Sequence, residues 1–185
     1  MKLLVVITSY RAKELTLDCL RSLEGEAAQI PGLRVGICDN GNEDDTLDYL
    51  NQAIYENGWQ DWVDVRHVMP NRGIAGGNNV ILQDALASGE DYDYYLLLNA
   101  DTIVRPGALQ HLIDSAEADK SVGIACPRLE WPNGDPQISC FRFISPVSEF
   151  ISAAQTGPLT KLLSRWNVPI QVSDTPIEMD WGSFA

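Results

Sequence analysis

Short, continuous apolar runs alternate with amphipathic stretches along most of this chain, and each run stops abruptly on polar residues. Leu3-Leu4-Val5-Val6-Ile7 stops at Thr8-Ser9, and Leu33 to Cys38 stops at Asp39-Asn40-Gly41. Tyr94-Tyr95-Leu96-Leu97-Leu98 stops at Asn99-Ala100-Asp101. Runs of this length read as buried strands, the first of them covered on both faces by its continuous apolar character. Lys2–Thr8, Leu33–Cys38, Val63–Val68, Tyr94–Leu98 and Val122–Cys126 are the predicted strands.

The stretches between them carry helical spacing. Glu14–Leu23 places Leu15, Leu17, Leu20 and Leu23 on an apolar face. Thr46–Tyr55 does so with Leu47, Leu50 and Ile54, and Ala75–Ala87 with Val80, Ile81, Ala85 and Leu86. Pro106 suits the first turn of a further helix reaching about Ala118. Strand and helix in repeated alternation predict an α/β protein, a mostly parallel Rossmann-like sheet with helices on both faces. The pattern changes at the turn-rich Trp131-Pro132-Asn133-Gly134-Asp135-Pro136. There Leu129–Trp131 and Ile138–Phe143 predict a short antiparallel hairpin. Gln155–Asp174 reads as a helix fragment and a loop, and Ile177–Trp181 as a last strand.

Composition narrows what such a fold can bind. The chain has 185 residues, enough for one domain with a real core. Its net charge of -13 argues against a surface for nucleic acid or anionic membrane. Only 13 Lys and Arg are present, and they do not cluster. A polyanionic ligand would therefore need local positive potential or an imported metal ion. The first apolar run is too short for a secretory leader, and no stretch reaches the roughly 20 apolar residues of a membrane span. Cys19, Cys38, Cys126 and Cys140 form no Cys-x-x-Cys pair, which argues against zinc. Two of them fall inside predicted strands, where a thiol serves as a small hydrophobe. A reducing cytoplasm is the expected setting.

Four polar clusters follow four apolar strands. They are Thr8-Ser9-Tyr10-Arg11, Asp39-Asn40-Gly41-Asn42, the loop from Asn71 to Asn79, and Asn99-Ala100-Asp101. In a parallel sheet all four lie along one edge, the edge where α/β proteins bind ligands. Period two puts Asn99 and Asp101 on the same side of their strand. A carboxylate with a neighbouring amide there suits a hard divalent cation carrying phosphate oxygens. Each cluster alone also reads as an ordinary turn. The glycines of Gly73-Ile74-Ala75-Gly76-Gly77 fit neither a dinucleotide fingerprint nor a Walker loop. They allow either close approach of backbone to an anion at a helix N-terminus or tight packing of that helix on the sheet.

Taken together, Val5-Val6-Ile7-Thr8-Ser9-Tyr10, Cys38-Asp39-Asn40-Gly41, the Asn71–Asn79 loop and Leu97-Leu98-Asn99-Ala100-Asp101 resemble the nucleotide-sugar-binding part of an inverting family 2 glycosyltransferase of the GT-A fold. The match spans about residues 3–128, and motif order suits the rhamnosyltransferase-like branch. The resemblance implies transfer of a sugar from a UDP- or dTDP-sugar to a glycan, lipid-linked or other hydroxyl acceptor, in polysaccharide biosynthesis. Asp39 would accept the N3–H of the pyrimidine, and Ser9 and Tyr10 would line the base pocket. Asn71, Arg72, Gly73 and Asn78 would lie near the nucleotide. Asn99 would face the ribose or sugar, and Asp101 would bind Mg2+ or Mn2+ on the diphosphate. A cytoplasmic protein, peripheral at most on the inner face of the membrane, is implied.

The chain departs from the family at Arg11, where Asn is usual. A single donor-binding domain over 1–185, truncated on its acceptor side, is expected, with the general base beyond Ala185. Glu178 and Asp180 are the nearest carboxylates and match no motif. Two other functions remain open: a catalytically silent nucleotide-binding module and a sugar-phosphate nucleotidyltransferase. His67, His111, Asp91 and Asp93 read as structural or solvated.

Overall fold

The computed structural model describes residues 1–154 and 156–183. It divides into two units, Met1–His111 and the residues from Leu112 onward. The first unit is β1 (Leu3–Ser9), α1 (Lys13–Gln29), β2 (Leu33–Asn40), α2 (Thr46–Asn57), β3 (Val63–Val68), α3 (Gly73–Ser88) and β4 (Tyr94–Asn99). Helix α4 (Ala108–Ala118) begins at its end. The sheet is wholly parallel, in the order β3-β2-β1-β4.

That order assigns the helices to faces. The chain steps from β1 to β2 to β3 in one direction, then returns past β1 to β4. Right-handed crossovers therefore put α1 and α2 on one face and α3 on the other. The even-numbered Leu4 and Val6 of β1 join Cys38, Val68, Ile81 and Ala85 in the core beneath α3. A Cβ on Gly36 would sit 2.3 Å from the Ile81 side chain, so this glycine lets α3 lie flat on the sheet. The odd-numbered Val5 and Ile7 are fully buried on the opposite face, as are Leu20, Leu23 and Leu50 of the covering helices. Each such side chain contributes about 1.5–3 kcal/mol by leaving water. α2 ends where Gly58 takes the left-handed conformation at φ 70°.

Several expected elements shift. α1 extends to Gln29, beyond the expected Leu23. Its buried face runs through Thr16, Cys19, Leu20, Leu23 and Glu26, so Leu15 points outward. Leu86 of α3 is likewise exposed. Tyr94–Leu98 is a strand, but not the buried one expected. It forms the sheet edge, and Tyr95 and Leu97 are exposed there because α3 packs over β2 and β1. α4 starts at Ala108 rather than Pro106. Gly107 first turns at φ 79°, and the Glu26 carboxylate accepts the Gly107 and Leu109 N–H groups at 2.5 and 3.0 Å. A buried carboxylate from α1 thus caps α4.

The second unit is mostly irregular. Val122–Cys126 forms no strand, and Ile124 is 87% exposed. The predicted hairpin is reduced to a bridge between Glu130 and Pro136. Strand β5 (Cys140–Phe141) pairs instead with β6 (Trp181–Gly182) in antiparallel register. Between them lie α5 (Pro146–Ala154), absent from the sequence-based expectation, α6 (Gly157–Leu162) and a 3-10 turn at Ser164–Trp166. Phe141 and Trp181 stack across the pair at 4.3 Å. The Asp180 carboxylate accepts the Phe143 N–H at 2.7 Å, a structural role. Of the expected loop and terminal segment, Gln155, Phe184 and Ala185 lie outside the described residues.

Glu26→Ala leaves two amides at the start of α4 without an acceptor. We expect a loss of about 2–4 kcal/mol in urea unfolding, and a smaller loss for Glu26→Gln, which keeps one acceptor.

Candidate functional site

The order of connections reverses between β1 and β4, so the loops leaving these two paired strand ends run to opposite sides and leave a crevice. A cleft of about 520 Å³ opens at this point. It is lined by Thr8 and Tyr10 at and just beyond the end of β1, Asn40 at the end of β2, Asn71, Gly73 and Ile74 before and within α3, and Asn99, Ala100 and Asp101 at and beyond the end of β4. Ala12 and Leu15 complete the wall. All four polar clusters converge, as a parallel sheet requires.

The cleft wall is built by two buried amides on either side of Gly41. Asn40, 1% exposed, accepts the Arg72 N–H at 2.9 Å and donates to the Gly73 carbonyl at 3.0 Å. Asn42 accepts the Arg11 N–H at 2.8 Å and donates to the Ser9 carbonyl at 3.2 Å. Gly41, at φ 81°, lets the chain pass so close that a Cβ would lie 2.5 Å from the Asn71 nitrogen. The Asn71 side chain accepts the Gly73 N–H at 2.7 Å, closing the turn into α3. Gly77 packs against Thr8, and the Thr8 hydroxyl donates to Asn78 at 2.7 Å.

Arg11 is the one non-glycine residue with positive φ, at 53°, among the described residues. Its guanidinium lies 5.1 Å from the Tyr10 ring. The usual family Asn is a residue that tolerates this conformation well, which gives the sequence departure a backbone cost.

The opposite wall is held by α1. The Cys19 thiol donates to the Asn99 carbonyl at 3.8 Å, and the Ser22 hydroxyl accepts the Val104 N–H at 3.0 Å. Burial first, and the Asp101 charge second, push the Cys19 thiol up to about 12, so it stays neutral. Asp101 is exposed, and its carboxylate has no hydrogen-bond or ion-pair partner among the described residues.

Of the residues expected from sequence, Tyr10, Asn71, Gly73, Asn99 and Asp101 line the cleft. Ser9, Asp39, Arg72 and Asn78 do not. Ser9 is buried and donates to Thr16 at 2.8 Å, since the Thr16 hydroxyl itself donates to the Ala12 carbonyl. Asp39 is 1% exposed; one oxygen meets His67 Nδ1 at 2.7 Å and the other accepts from Asn42. Each carboxylate oxygen keeps one further acceptor site. Arg72 precedes α3 with its guanidinium free of any partner among the described residues. Asn78 stands behind Thr8.

Thr8, Asn40, Ile74 and Ala100 fall inside the polar clusters expected from sequence but carried no assigned role there, and Ala12 and Leu15 lie outside those clusters. Leu15 carried a signal, because it falls off the stripe of Thr16, Leu20 and Leu23.

The chain matches the family described as Glycosyl transferase family 2 over residues 4–170. It belongs to that family.

Solved structures agree on the fold. The mannosyltransferase PcManGT of Pyrobaculum calidifontis, in complex with GDP-Man and Mn2+, superposes with a TM-score of 0.54. It is 13% identical over 84% of this chain and 39% of its own. S. aureus TarS in complex with UDP-GlcNAc superposes with a TM-score of 0.51 at 20% identity, over 64% of this chain and 32% of its own. This chain thus spans about a third of the length of the solved structures it matches. No curated protein matches the sequence.

Asn40→Ala strips Arg72 N–H and the Gly73 carbonyl of their partner. We expect a cost of about 1–3 kcal/mol and faster hydrogen exchange at the Arg72 amide by NMR. Arg11→Asn removes the left-handed strain, and the urea midpoint should rise by an amount equivalent to about 0.5–1 kcal/mol.

Proposed function

We propose that this chain is the donor-binding portion of an inverting glycosyltransferase that uses a UDP- or dTDP-sugar. The observation that carries the reading is the meeting of Asn99, Asp101, Tyr10, Asn71 and Gly73 in one cleft at the switch point of the sheet. A nucleoside diphosphate needs an apolar wall for its base and compensation for its charge. Tyr10, Leu15 and Ile74 are large, exposed and on the cleft, and they supply the wall. The N-terminal turn of α3 presents Gly73 and Ile74 with a favourable dipole for phosphate. Ser9, Asp39, Arg72 and Asn78 complete the assignment, Asp39 as acceptor for the pyrimidine N3–H once the base reaches it.

A divalent ion fits this donor set. Among the described residues no three His, Cys, Asp or Glu side chains gather as a metal cage. Mg2+ and Mn2+ sites on phosphate substrates need only one or two carboxylates, with phosphate oxygens and water as the rest. Asp101 is such a carboxylate, free of other partners, with Asn99 beside it. When bound, the ion would act as a Lewis acid toward the leaving diphosphate. Asp101 is also the one carboxylate lining the cleft among the described residues. A metal ligand cannot double as the base that deprotonates the acceptor hydroxyl, so the reading places that base outside the cleft wall.

The relatives' complexes support a nucleotide-sugar donor. The motif order supports the rhamnosyltransferase-like branch. The acceptor is a glycan or lipid-linked hydroxyl, as in polysaccharide biosynthesis, and the setting is the cytoplasm, with peripheral association at the inner membrane face at most. Among the described residues no helix is long and apolar enough to cross a membrane.

Calorimetry tests the reading. UDP or dTDP should bind in Mg2+ or Mn2+ and lose at least tenfold in affinity on chelation or with Asp101→Ala. Metal-independent binding, or none of either nucleotide, would sink it. Release of free sugar from the donor separates an enzyme from a silent nucleotide-binding module.

A further inference from the structure

Cys126 and Cys140 belong to the second unit and take no part in the cleft. Both are free thiols, Cys126 exposed and Cys140 half-buried. The turn between them sets an antiparallel register. Trp131 N–H donates to the Asp135 carbonyl and Gln137 N–H to the Leu129 carbonyl, each at 2.8 Å, and Glu130 faces Pro136 between these bonded pairs. Carried outward, that register would set Cys126 opposite Cys140, but Gly182 holds that place and the segment 168–170 bonds the other edge of β5. Cys126 is therefore no ladder partner of Cys140 and approaches it by way of Gly182.

A second observation places the sulfur. Cys140 is paired with Gly182 across β5 and β6. A Cβ on Gly182 would lie 3.0 Å from Cys126 Sγ and 3.1 Å from Met179 Cε. The Cys126 sulfur therefore occupies the space that a side chain directly opposite Cys140 would fill. Glycine at 182 keeps that space open. The ladder bonds themselves stop at Leu129 and Gln137, so the segment leading to Cys126 is held here by contact and not by sheet bonds.

We propose that Cys126 and Cys140 are a redox-responsive pair that closes to a disulfide, pinning the non-strand segment around residues 122–128 onto β5. The oxidant class is a low-molecular-weight disulfide such as oxidised glutathione. One cysteine thiolate attacks it, forming a mixed disulfide and releasing one glutathione thiolate. The second cysteine thiolate then displaces the second glutathione and forms the S–S bond. Two protein S–H bonds are lost, two electrons pass to the glutathione disulfide, and two glutathione thiols result. Burial, and then the Cys140 neighbour, push the Cys126 thiol up, so closure should quicken as pH rises.

The test is intact-mass and peptide-map analysis of the whole chain after oxidised glutathione, with reduced chain as reference. The expected product is lighter by about 2 Da, with a Cys126–Cys140 crosslinked peptide and two of the four thiols still titratable. Its thermal midpoint should lie about 5 °C above the reduced form and return on reduction. Cys126→Ser and Cys140→Ser should each stop at a mixed adduct with no internal bond. Mixed adducts alone in the unsubstituted chain, or a crosslink through Cys19 or Cys38, would overturn the proposal.

Discussion

The cleft depends on the corner Asn40-Gly41-Asn42. A parallel sheet brings strand ends together but leaves the loops beyond them to find their own partners. Asn42 ties the loop after β1, and Asn40 ties the loop into α3. Each buried amide acts as donor and acceptor at once, which a carboxylate cannot do. Asp at position 40 could still accept the Arg72 N–H but could not donate to the Gly73 carbonyl. Gly41 then allows the closest approach in the site, against Asn71. One three-residue corner so fixes both neighbouring walls, and its bonds are worth more for being out of water.

The far wall is organised differently. Three side chains of α1 spaced along one helix face, Cys19, Ser22 and Glu26, bond successive backbone groups from Asn99 to Leu109. The backbone carrying Asp101 is held from behind while its carboxylate stays unspent. This division of labour is what a metal-ligating carboxylate needs: fixed position without internal competition for its oxygens. Asp39 shows the contrary case, a carboxylate whose oxygens His67 and Asn42 already engage.

β1 and β2 could be read from apolar periodicity because both faces of that part of the sheet are covered, and β3, at the other edge, carries a mixed pattern of exposure. β4 has the same kind of run, yet it sits at the edge, and periodicity does not report which strand is last. Val122–Cys126 has a strand's composition and no strand partner, so it stays irregular. In the site, the motifs marked the sheet edge, and Tyr10, Asn71, Gly73, Asn99 and Asp101 line the cleft there while Ser9 and Asp39 do not. Ser9, Asp39 and His67 form one cross-strand row, and Thr8 lies on the alternate face with Asn40 and Tyr10. The row points toward α1 and α2, as the Ser9–Thr16 bond shows, while the cleft opens on the other side. Strand alternation applied to Thr8 and Asn40 would have found them. Glu26 offered no such signal, since a carboxylate on a helix becomes a cap only through a partner far away in sequence.

Charge supplies the last step. The chain carries 26 acidic residues against 13 basic ones, so acidic partners are plentiful. In the first unit Lys13, Arg21 and Arg66 are spent on Asp45, Asp18 and Asp84. Arg11 and Arg72, the two guanidinium groups flanking the cleft in sequence, have no acidic partner among the described residues. Exposed ion pairs contribute little to stability, so leaving these two unpaired costs the fold little. It leaves positive charge beside an apolar wall in an otherwise acidic protein. That is the local potential a nucleoside diphosphate requires, and it is too little to neutralise the diphosphate unaided. A free carboxylate at Asp101 would worsen the deficit for a bare anion and mend it only when a divalent cation bridges the two. On the proposed reading, this placement of charge calls for a metal-bound diphosphate rather than a metal-free one.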